Sequence, residues 1–211
     1  MIFEEVRLYT ARLEDIKHFY IDILGLQLLE ESEHSFTLRV GLTKMIFMRS
    51  EADQNPFYHF AWLIPTNRFQ EAKAWAAARV RLSRHEDQDE TYSTNWDSHS
   101  LYFEDPAGNI LELIAHHPLH NESDHPFSEK ELLQVCEVGL VTEDVLSTVD
   151  ELERMGLKRW REISDTFAPI GDANGLFIVV KKERTWFFSE QKSNIYPLEV
   201  SIRDVGKLRI G

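Results

Sequence analysis

A chain of 211 residues with 43% hydrophobic and 28% charged side chains can bury a substantial core, so neither a disordered nor a fibrous architecture is expected. Its formal net charge of -13 repels phosphate backbones and anionic lipid, and its 23 basic residues are scattered, so nucleic acid is not an expected partner. There is no run of 18 apolar residues, so no helical membrane span is expected; Glu4, Glu5 and Arg7 interrupt any secretory leader, and the lone Cys136 lies in an apolar run, which together suggest a cytoplasmic protein.

In chain order, residues 3–10 alternate as a strand, with Val6 and Leu8 on one face and Phe3, Glu5, Arg7 and Tyr9 on the other. Leu13, Ile16, Phe19, Tyr20 and Ile23 follow at helical spacing, and Gly25 stops that helix. Strands are expected over residues 26–31, 35–40 and 45–49, completing a βαβββ unit. The grammar then repeats: an apolar strand at 57–64, an alanine-rich helix at 68–80, a polar loop at 85–94, a strand at 100–104, and a strand at 110–115. Between the last two, Asp105-Pro106-Ala107-Gly108-Asn109 has the composition of a tight reversal.

From His116 the pattern breaks. His116, His117, His120 and His125 lie among prolines and acids with no apolar periodicity, so a solvated linker over 119–134 is expected rather than a metal-binding tract. A third unit spans 135–211: a strand at 135–141, a helix at 145–155 stopped by Gly156, strands near 157–161, 166–170 and 176–181, and a last strand at 198–202. The fold class is therefore α+β, with three tandem βαβββ units forming cupped mixed sheets.

Two segments carry a resemblance to a known family. The opening run Glu5-Val6-Arg7-Leu8-Tyr9-Thr10, with Leu13 to Lys17, Phe19-Tyr20 and Leu24-Gly25, is similar to the start of a vicinal-oxygen-chelate module. The closing run from Leu101 through Asp105-Pro106-Ala107-Gly108-Asn109 to Leu113 is similar to its end. This superfamily includes glyoxalases, extradiol dioxygenases and bleomycin-resistance proteins, and the resemblance implies that residues 1–118 form one complete two-unit module. It further implies a divalent metal in the cup, held at the positions of Glu5, His59 and Glu112.

The residues themselves point to two of those three. His59 shares its strand face with Ala61 and Leu63 while the other face is uniformly apolar, and Glu112 interrupts a strand of Leu111, Leu113 and Ala115. A carboxylate in so apolar a strand is costly without a partner, and a metal would be one. Two carboxylates and one histidine form a hard, anionic set suited to zinc, nickel, manganese or magnesium, with iron and dioxygenase chemistry disfavoured. Such a centre would act as a Lewis acid on a small oxygen-chelating substrate, in lyase, isomerase or transferase-type chemistry, with Glu5, Arg7 and Tyr9 as catalytic candidates and His99 and Tyr102 as weaker ones. The alternative is a metal-free cup that sequesters a small molecule, as bleomycin-resistance proteins do. In the third unit Glu137 stands at the place equivalent to Glu5, and Glu199 interrupts the last strand as Glu112 does. An odd number of units leaves a sheet edge to be covered, and a homodimer is the expected solution.

Overall fold

The computed structural model describes residues 1–51 and 55–210; Gly211, the end of the expected third unit, lies outside them. The first unit comprises β1 (Phe3–Thr10), α1 (Leu13–His18), which widens into a π-helical turn at Phe19–Ile23, β2 (Gln27–Ser32), β3 (Ser35–Val40) and β4 (Thr43–Arg49). The second comprises β5 (His59–Leu63), α2 (Phe69–Ala77), β6 (Thr91–Ser93), β7 (Ser98–Glu104) and β8 (Ile110–His116). The third begins with β9 (Gln134–Thr142), α3 (Val145–Arg154), β10 (Phe167–Asp172) and β11 (Gly175–Lys181), and the chain continues into β12 (Leu198–Ile202) and β13 (Gly206–Ile210). Strand β6 falls in a stretch without apolar alternation, and β13, where Leu208 and Ile210 alternate with Lys207 and Arg209, lies beyond the last expected strand. Among the described residues no helix is long and apolar enough to cross a membrane.

These strands form two mixed sheets, in the orders β13-β12-β1-β4-β3-β2 and β10-β11-β9-β5-β8-β7-β6. The first two units therefore do not share one cup. The second unit joins the third through the antiparallel pair β5/β9, while β12 and β13 return to the first sheet and pair along β1. Burial explains the choice. All five residues of β5 and the first seven of β9 are buried, so this pair is covered on both faces, whereas β1 keeps Glu5, Arg7 and Tyr9 half-exposed on one face. The last strand is thus not the close of the third unit, and β12 covers the β1 edge that an odd number of units would leave open.

One apolar core lies between the two sheets and takes Val6 and Leu8 from β1, Phe60 and Trp62 from β5, Leu111 and Leu113 from β8, and Val135 and Val138 from β9. Phe3 belongs to this core too, packing edge-on against Phe177 at 5.2 Å, because the β1/β12 register shifts between Phe3 and Glu5. Helix α3 shows how local sequence directs packing: Asp144 caps it by accepting from the Ser147 N–H at 3.0 Å, and Val145, Val149 and Leu152 form its buried stripe.

The Asp105 to Asn109 turn is a structural knot. The buried Asp105 carboxylate accepts from the Ala107 N–H (2.8 Å), the Asn109 N–H (3.0 Å), the Asn109 side-chain amide (2.7 Å) and the Tyr20 hydroxyl (2.7 Å). Gly108 supplies the left-handed conformation, φ +84°, that closes the turn. Asn109 in turn accepts from the Tyr58 N–H at 2.8 Å, so one carboxylate fixes where β8 starts and where β5 enters beside it. That register matters for the site.

Candidate metal centre

The outer face of the second sheet is concave, and a row of side chains crosses its middle. Strand pairing sets Tyr102 of β7 beside Glu112 of β8, Glu112 beside Ala61 of β5, and Ala61 beside Glu137 of β9. The methyl of Ala61 leaves an opening between two glutamates that stand two strands, or about 10 Å of backbone, apart. His59, two residues earlier on the Ala61 face, fills the opening from below. Its Nε2 lies 3.7 Å from Oε2 of Glu112 and 3.7 Å from Oε2 of Glu137. One ligand atom from each of His59, Glu112 and Glu137 lies within 4.8 Å of the others.

Those distances are long for hydrogen bonds but near the separations, about 3 to 3.5 Å, of ligands sharing one ion with bonds of about 2.0 to 2.2 Å. His59 Nδ1 lies 3.2 Å from the Ile110 carbonyl, a contact that makes Nδ1 the donor and turns the Nε2 lone pair to the glutamates. All three side chains are buried. Burial pushes the Glu112 carboxyl up to about 8, helped by the nearby Glu137 charge and opposed by His59 and the Ser100 and Tyr102 hydroxyls. Burial likewise pushes Glu137 up to about 8 and moves His59 downward against the pull of Glu112. Glu137 Oε1 is buried without a hydrogen-bond partner. A pair of unneutralised carboxyls around an imidazole lone pair is a donor set that a divalent cation would satisfy.

Glu5 is not among these residues. It stands on the outer face of the first sheet, across the core, in a shallow depression with Arg7, Glu199, Ser201 and Lys207. Arg7 lies 3.8 Å from Glu199, and Tyr9 shares this half-exposed face, so the proposed catalytic trio is on the wrong sheet for the cup. Glu137, its equivalent in the third unit, occupies the place expected for Glu5, because β9 and not β1 is the strand beside β5. Glu199 is not in the cup either; it pairs Arg7 and Arg209. A bulge brings Glu137 into position. The β5/β9 register shifts between Ala61 and Trp62, which leaves Cys136 without a counterpart on β5.

The expected linker starts later than its histidines suggest. His116 is the last residue of β8 and fully buried, 3.9 Å from Glu137 Oε1 and stacked on Trp96. Burial lowers it to about 4, which keeps it neutral. His117 instead meets His99 Nδ1 at 2.7 Å on the other face, beside α2, so His99 is not in the cup. Tyr102 is in it.

The cup encloses about 450 Å³. A strap between β11 and β12 closes one side: Trp186 packs on the His59 ring at 5.1 Å, and Phe188 stacks on Tyr102 at 4.7 Å. Ser189 and Gln191 tie the strap to Glu104, each at 3.1 Å. Gly139 makes the Trp186 contact feasible, since a Cβ there would sit 2.7 Å from the indole and 3.3 Å from the His59 Cβ. From the sequence, Trp62, Trp75, Trp96, Trp160 and Trp186 are candidates to line a ligand groove; Trp96 and Trp186 do line the cup, while the strap that carries Trp186 leaves no periodic signal in its polar stretch.

Comparison with known proteins agrees with the architecture. The family model described as Glyoxalase/Bleomycin resistance protein/Dioxygenase superfamily matches residues 2–113. Among solved structures, a Bacillus subtilis protein provisionally assigned as a dioxygenase superposes with a TM-score of 0.62 at 16% identity, covering 85% of this chain and 63% of that one. Glyoxalase I from Zea mays superposes with a TM-score of 0.54 at 16% identity, covering 85% and 66%. The chain thus spans just under two thirds of each. No curated protein matches it in sequence.

Proposed function

The chain belongs to the Glyoxalase/Bleomycin resistance protein/Dioxygenase superfamily, and from that premise we propose that its cup is a divalent-metal centre held by His59, Glu112 and Glu137. The observation that carries the proposal is the convergence of three buried ligand atoms over Ala61, with no cation of the protein's own beside them among the described residues. Two carboxylates and one imidazole suit zinc, nickel, manganese or magnesium better than iron.

Pseudo-symmetry supports an open site. β9 pairs with β11 so that Gly139 lies beside Ile178, just as Ala61 lies beside Glu112 in β5/β8; the fourth symmetric position is therefore an isoleucine. Three protein ligands leave positions for a substrate bearing two neighbouring oxygens. When bound, the ion would supply Lewis-acid stabilisation of an oxyanion or enolate. The chain's own groups would do the rest. Tyr102, whose burial and glutamate neighbours keep its hydroxyl protonated, would donate to a substrate oxygen, and the Glu137 carboxylate, which lines the cup, is the candidate base for a proton next to a carbonyl. Trp186 and the aromatic strap would exclude water.

The reaction class is thus lyase or isomerase chemistry on a small oxygen-chelating molecule. Aromatic walls formed by Trp96, Tyr102, Trp186 and Phe187 would equally serve the second reading, sequestration of a small molecule without metal. Metal content separates the two. Protein purified without chelator is expected to hold one equivalent of metal that His59→Ala, Glu112→Gln and Glu137→Gln each remove and Glu5→Gln does not. Folded protein with no affinity for any of the four ions would leave the sequestration reading.

A further inference from the structure

Arg184 lines the same cup, on the strap between β11 and β12. Its backbone N–H donates to the Ser193 hydroxyl at 3.1 Å, which seats it in a short hairpin closed by the Thr185/Lys192 bridge. Its guanidinium packs over the Phe167 ring, 5.2 Å from the centroid, and has no ion-pair or hydrogen-bond partner among the described residues. Burial alone moves its ionisation, downward, with no carboxylate to offset the loss of water. The group nevertheless stays charged at any pH the fold survives.

A planar cation with five donors, half-withdrawn from water and facing an aromatic-walled cavity, is built to receive a planar anion. From this geometry we infer that Arg184 determines specificity, docking a carboxylate on the molecule that enters the cup while the walls hold its apolar or aryl body. Phe167 stiffens the guanidinium from one side, and Trp186, Phe187 and the His59, Glu112 and Glu137 centre line the same cavity that the ligand would fill. The cup thereby selects small monoanionic acids over their neutral analogues. The inference rests on the reading of the cup as a ligand site, but it does not need the metal.

The test is a series of aryl carboxylates, benzoate to 4-phenylbutanoate, each beside its primary amide. Binding is read by tryptophan fluorescence, with calorimetry as a second measure. Titrations are run on wild-type protein and Arg184→Gln, both chelator-treated and metal-loaded. At least one acid is expected to bind about tenfold tighter than its amide, the effect of one charge-assisted pair. That preference should persist without metal, and Arg184→Gln should abolish it while leaving amide affinity within twofold and metal stoichiometry unchanged. Equal affinity for acid and amide throughout the series, no binding by any member, or a preference that survives Arg184→Gln overturns the inference. Loss of metal binding with the preference intact would instead remove the metal reading alone.

Discussion

Replacing Glu137 with glutamine separates a functional carboxylate from a structural one, because the two predict opposite signs. The side chain is buried, with Oε1 unpartnered, and its ionisation lies near 8 in the fold against an ordinary 4.5. A carboxyl raised in this way is neutral and harmless below pH 4.5. As pH rises from 4.5 to 8 the unfolded chain gives up its proton and the folded one does not, so stability falls across that window and stays low above it. The full displacement corresponds to a ceiling of about 5 kcal/mol. A buried glutamine amide retains part of the polar burial cost, so about 2 kcal/mol of gain is expected from Glu137→Gln in metal-free protein at pH 9. For a chain of this size that is about 4 to 8 °C in Tm. The assay is thermal unfolding in chelator at pH 5 and pH 9: the variant should match wild type at pH 5 and exceed it at pH 9. A lower Tm at both pH values would show that Glu137 holds the fold together and would refute the reasoning.

Three other outcomes follow from the same geometry. Metal binding must displace the protons that Glu112 and Glu137 hold; as a coupled pair near 8 they should release almost two protons per ion at pH 7 and few at pH 9, measurable by calorimetry in buffers of different ionisation enthalpy. Uptake without pH-dependent proton release would mean that the carboxylates are not ligands. Gly139→Ala should cost about 1 to 3 kcal/mol and alter Trp186 fluorescence, since its Cβ would meet the indole at 2.7 Å; an unchanged spectrum and Tm would contradict the packing of the strap. Asp105→Ala strands four donors and should cost 3 kcal/mol or more by denaturant unfolding, whereas a loss under 1 kcal/mol would show that the turn is not what registers β5 against β8.

How much of this was legible beforehand differs by scale. His59 and Glu112 were visible because each interrupts an apolar run, Glu112 standing alone within residues 110–115, and period-two alternation says which neighbours share its face. The Asp105 turn was visible for the same local reason. The third carboxylate was not, because strand patterning reports which residues share a face and is silent on which strand lies next door. Glu5 and Glu137 occupy equivalent places in their units, and only the β5/β9 pairing chooses between them. That choice depends on burial of β9 on both faces and on a bulge at Cys136, neither of which leaves a periodic trace. The return of β12 to β1, which sends Glu199 away from the cup, is likewise a long-range event. His116 was hidden by its neighbours: the polar run that follows it has the composition of a linker, while the β8/β7 ladder carries it one residue further as strand.

One cation position decides whether the cup is a metal centre. Crystals grown with manganese or zinc, with data collected at the absorption edge of that metal, locate it directly. An anomalous-difference peak within about 2.2 Å of His59 Nε2 and of one oxygen each from Glu112 and Glu137 is the predicted result. A cup with no peak, or a peak on the first sheet beside Glu5, contradicts it.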